Sequence, residues 1–117
     1  MVVTRARRYP WLVPENLEVW IGLANVVPRA NCELLDDGKG AFTHFLSLAK
    51  DADEYRTKVT RACLYYKLEL VELEWCQAFA ERHSERDIAE ELCEIADGLS
   101  DPRHVIFGTF YTYPRSM

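Results

Sequence analysis

This sequence has no long apolar run. Nothing in it approaches the roughly 18 consecutive apolar residues of a membrane-spanning helix, so no membrane partner is expected. Glycine and proline are scarce, at five each in 117 residues, which excludes collagen-like and low-complexity architectures. There is no CxxC pair. Cys32, Cys63, Cys76 and Cys93 are widely spaced and read as reduced, small apolar residues rather than a disulfide framework. There is no GxGxxG fingerprint and no P-loop; Gly38-Lys39-Gly40 reads as a turn. His44, His83 and His104 lack any HxxxH-type spacing. No Ser, Cys or His stands in a nucleophile motif. These absences predict no metal, no cofactor and no catalytic residue, and they favour a non-enzymatic role.

Basic clusters are also few. Arg5, Arg7 and Arg8 are followed only by residues 9–14, which carry Pro10 and Pro14 and form no apolar core of an export signal. The expected compartment is therefore the cytoplasm. The net charge is -5, and residues 69–101 hold 11 acids against 2 bases. A strongly acidic third of the chain argues against nucleic acid as a partner, because phosphate contacts need basic clusters.

The length fits one domain over residues 1–117, with residues 1–14 as an irregular N-terminal arm. Residues 17–27 are rich in branched and aromatic side chains and read as a strand that Pro28 ends. Residues 29–40, with Asn31, Asp36, Asp37 and Gly38, read as the loop of a wide hairpin. A second strand over residues 41–49 places Phe42, His44, Leu46 and Leu48 on one face. Asp51 then caps a helix, with Glu54 at capping-box spacing. Ala52, Tyr55, Val59, Ala62, Cys63 and Tyr66 form its apolar stripe.

A third strand from residue 68 points Val71, Leu73 and Trp75 one way, and Glu72, Glu74 and Cys76 the other. Residues 80–83 are a connection. Ser84 caps a second helix whose buried stripe is Ile88, Leu92, Ile95, Ala96 and Leu99. A last strand spans residues 105–113.

The expected order is β-β-α-β-α-β. Right-handed crossovers progressing in one direction would put both helices on one face of the sheet. The predicted fold class is therefore α+β, a two-layer sandwich with a mixed four-stranded sheet and two helices on one face. It is ferredoxin-like in spirit though not in element order.

Two surfaces stand out. The last strand is apolar or aromatic on both faces. If helices cover only one face, a partner or ligand must cover the other, since large exposed apolar patches are rare on monomers. Trp20, Phe107, Tyr111, Tyr113 and His44 are the candidate residues of this aromatic sheet face. Gly22 and Gly108 mark close approach of a backbone or ligand. The second surface is the acidic outer face of the second helix, built by Glu85, Glu90, Glu91, Glu94 and Asp97. It is suited to a basic protein partner. Glu72 and Glu74, with Glu69 close by, share a strand face as solvated carboxylates.

The leading expectation is a small acidic protein-interaction module. It would self-associate as a homodimer through the aromatic face, or neutralise a basic partner in the manner of an immunity protein. The alternative is a small-molecule binder or small enzyme with an apolar pocket on the open sheet face.

Overall fold

The computed structural model describes residues 16–114. The arm expected over residues 1–14 lies outside them. Two long strands, β1 (Glu18–Pro28) and β2 (Lys39–Ala49), form an antiparallel hairpin. Its loop turns through Asn31 (φ 66°) and Gly38 (φ 82°). Both residue types tolerate the left-handed region that the turn requires.

Helix α1 (Ala52–Tyr65) follows at once. The Asp51 carboxylate accepts the Glu54 amide at 2.8 Å, and the Glu54 carboxylate reaches back to the Lys50 amide at 2.8 Å. Lys67 (φ 61°) turns the chain into β3 (Leu68–Ala78), which pairs antiparallel with β1. Helices α2 (Phe79–Glu85) and α3 (Glu90–Gly98) come next, then two short strands, β4 (Val105–Phe107) and β5 (Tyr111–Pro114), both paired with β2.

The α+β class is therefore what forms. The sheet order is β3-β1-β2-β4, with β5 also on β2. β2 and β3 do run parallel, as the strand–helix–strand pattern predicts, but β1 lies between them. Every neighbouring pair is antiparallel, so the sheet is antiparallel and five-stranded rather than mixed and four-stranded.

The helices also divide between the faces. Tyr55, Val59 and Cys63 of α1 pack with Ala24, Val26 and Phe45. Leu92, Ala96 and Leu99, from α3 and the residue after it, pack with Ile21 and Leu46. Phe45 and Leu46 are neighbours in one strand and point to opposite faces, so α1 closes one face and α3 sits on the other. The expected one-face arrangement assumed two crossovers in one direction. The second connection instead runs back from the β3 edge past β1 and β2 to β4. It joins antiparallel strands, to which the handedness rule does not apply.

Two bulges reshape β3. Between the pairs Ile21↔Gln77 and Leu23↔Glu74, β1 advances two residues and β3 three; between Asn25↔Glu72 and Val26↔Leu70, one and two. Trp75 and Val71 take up the extra length and stay exposed. Leu73 alone of the expected trio enters the core, and Cys76 joins it instead. Trp75 has φ 56°, a rare conformation for a bulky residue. Arg82, only 7% exposed, donates from Nη2 to the Trp75 carbonyl at 2.9 Å and from Nε to Gln77 Oε1 at 2.6 Å. It ties the bulge to α2.

The expected second helix is split. Residues 79–85 are already helical, and Ser84 donates to the Glu81 carbonyl rather than capping. α3 starts at Glu90 without a side-chain cap.

Candidate interaction face

The expected last strand breaks at Gly108, Thr109 and Phe110. From Phe45↔Phe107 to Phe42↔Tyr111, β2 advances three residues and the C-terminal segment four. An extra residue flips every later side chain to the other face. Phe107 therefore points towards α1, while Tyr111 and Tyr113 point away from it.

The five aromatic-face candidates thus do not share a face. Trp20 stacks on Tyr55 with centroids 6.3 Å apart. Phe107 sits 6.1 Å from Phe45, 5.3 Å from Tyr66 and 5.0 Å from Phe110. Both belong to the packing under α1. Only His44, Tyr111 and Tyr113 lie on the opposite face.

There the registers build a row across four strands: Glu72, Asn25, Phe42 and Tyr111. At about 4.8 Å per strand the row spans about 14 Å. Tyr113 lies over Gly40, where no side chain would fit. Its hydroxyl donates to Asn25 Oδ1 at 2.5 Å, and its ring is 5.4 Å from Phe42. Phe42 and Asn25 were missing from the sequence-based candidates. The parity of Phe42 with His44 was the available signal for Phe42; nothing local marks Asn25.

Cross-strand pairing also puts Glu69, Glu72 and Glu74 on this face, opposite Val27, Asn25 and Leu23. Glu72 and Glu74 share a strand face as expected, and the bulge at Val71 brings Glu69, of opposite parity, onto it as well. The row thus runs from acidic at the β3 edge to aromatic at the β5 edge. α3 covers the other end of the face, over Ile21 and Leu46. The open end leaves Phe42 38% and Tyr111 60% exposed.

The acidic helix candidates are all exposed but stand on two elements. Glu85 ends α2, and its carboxylate accepts Gln77 Nε2 at 3.4 Å. Glu90, Glu91, Glu94 and Asp97 belong to α3. Glu91 accepts the Thr109 hydroxyl through both oxygens, at 3.0 and 3.1 Å, fixing the break between β4 and β5 to α3.

His44 is half-buried between these elements. Burial lowers its pKa from the ordinary 6.5, the Arg82 charge lowers it further, and Glu91 partly opposes them. No nucleophile adjoins it among the described hydrogen bonds. His83 packs on Phe79 at 6.1 Å, and His104 Nε2 lies 3.6 Å from Asp101, so the three histidines do not converge. Among the described residues no three His, Cys, Asp or Glu side chains form a metal-binding group. No described helix is long and apolar enough to cross a membrane. The cysteines are free thiols, and burial pushes the Cys63 thiol up to about 11.

Comparison with known protein families, with curated proteins and with solved structures gives no match.

Proposed function

We propose that this α+β protein works by binding a basic protein through the open end of the face opposite α1. The observation that carries the reading is the cross-sheet row, in which exposed Phe42 and Tyr111 share a face with Glu72 and, in the adjoining rows, with Glu69 and Glu74. Aromatic anchors supply buried area, and the carboxylates supply partner choice and a faster encounter. The acids of α3 extend the same sign of charge. A basic, neutralisable partner suits this surface better than a second copy. A two-fold dimer would bring both copies of the patch into one interface, gathering six carboxylates with no basic side chain of the patch to offset them. Edge-to-edge pairing is also opposed, because β3 carries two bulges and the other edge is made of two short strands.

The test is a photo-crosslinking residue at position 111 in cells, with a control at Arg56 on exposed α1. Binding of the captured protein is then measured for the wild type and for a Glu72→Lys/Glu74→Lys variant. The expected capture is a basic polypeptide. Its affinity should fall with added salt, and at least about tenfold on charge reversal. Crosslinking to a second copy, with a dimer in light scattering, would replace this reading with self-association. Equal capture from position 56 would sink it.

A further inference from the structure

The C-terminal half of α1 and the turn before β4 border an open groove of about 650 Å3, a volume in the range of small-molecule sites. Its charge runs against that of the whole chain. Lys58, Arg61 and Arg103 line it together with His104. Arg103 is paired with Asp101 at 2.9 Å. Lys58 Nζ donates only to the carbonyls of Leu48 (2.6 Å) and Pro102 (2.8 Å). These two bonds tie the turn to α1 and so shape the groove, and both acceptors are neutral carbonyls. Neither Lys58 nor Arg61 has a carboxylate within 4 Å among the described residues. Among the described residues, two positive charges therefore stand unpaired in one groove of a chain with net charge -5.

The rest of the lining is apolar or aromatic. Tyr65 is 80% exposed and meets Tyr66 edge to face at 5.0 Å. A large, exposed ring beside cations is a platform for another planar group. A phosphate monoester carries a charge near -2 at neutral pH, which matches the two free cations; a carboxylate supplies only half of that.

We propose that this groove binds a nucleotide-like ligand, a planar aromatic body bearing a phosphate monoester. The phosphate meets the Arg61 guanidinium and the remaining Lys58 proton, with His104 at the rim. The aromatic body stacks on Tyr65 against Ala62 and Val105. The site lies away from the interaction face and is independent of it.

The test is a titration with AMP, followed by amide chemical shifts in the whole chain, with adenosine and inorganic phosphate in parallel. Shifts should centre on residues 58–66 and 102–106. Arg61→Ala and Tyr65→Ala change exposed side chains and should each weaken binding about tenfold, with unchanged melting. Tyr111→Ser, on the other face, should leave it unchanged. Adenosine and phosphate should each bind at least about tenfold more weakly than AMP. The proposal is overturned if phosphate alone binds as tightly as AMP, if the shifts lie elsewhere, if both variants bind like the wild type, or if AMP at millimolar concentration gives no shift.

Discussion

The two faces of this sheet are made by alternate residues of the same strands, yet one is closed and the other half open. The closed face is covered by α1, which leaves β2 after two residues and lays one continuous stripe of Tyr55, Val59 and Cys63 across β1, β2 and β3. The open face is covered at one end only, by two short helices strung between the far edges of the sheet. A helix joined locally to its strand buries its face almost by connection length alone. A cover that must cross the whole sheet leaves part of the face exposed, and that part carries the mixed aromatic and acidic surface.

Removing the anchor of the closed face should have the largest effect. Tyr55 is fully buried, fills the space above Gly22, and donates its hydroxyl to the Phe45 carbonyl at 2.6 Å. Tyr55→Ala should destabilise the fold by about 3–5 kcal/mol, read as a lower urea midpoint. Leu92→Ala removes the anchor of the partial cover and should lose about 2–3 kcal/mol. If the two losses were equal, the contrast between the faces would fail.

Gly40→Ala probes the uncovered end of the open face. A Cβ there would collide with the Tyr113 ring, so β5 must shift and the bond to Asn25 must break. A cost of about 1–3 kcal/mol is expected, with the largest amide shifts in residues 111–114.

His44 reports the electrostatics of the open face. By NMR it should titrate below 6.5; Glu91→Gln should lower its pKa further and Arg82→Gln should raise it. Its folded value is depressed, so the fold favours neutral imidazole. The stability this lends is complete above 6.5 and is lost as pH falls from there through the folded value. A His44→Gln variant should lose less stability than the wild type across that acid range. Tyr111→Ser should have the smallest effect on stability, within about 0.5 kcal/mol, because its ring is mostly in solvent. A much larger loss would show that the ring is packed and not available to a partner.

Much of the closed face was legible in the sequence because its signals are local. The Asp51–Glu54 cap, the stripe of α1 and the hairpin turn each depend on residues a few positions apart. The open face was misread for equally physical reasons. Val71 and Trp75 are good strand formers, and nothing in their type marks a bulge. The split of the second helix falls over residues 86–89, with no glycine or proline to announce it. The flip at Gly108 depends on pairing with β2, more than 60 residues earlier in the chain. Trp20 and Phe107 were therefore grouped with Tyr111 and Tyr113, which the fold puts on the other side. The groove beside α1 had no sequence signal, since Arg61 and His104 line it together only once the turn at Pro102 is tied to α1 by Lys58.

The amino-acid pattern by itself determined the α+β class, the hairpin, the capped helix and the acidic balance, because periodicity, caps and charge act over short stretches of chain. The tertiary structure decided which side chains share a face and which cations share a groove. A single added residue in a strand inverts every side chain beyond it, and only the pairing with another strand reveals where that residue is taken up.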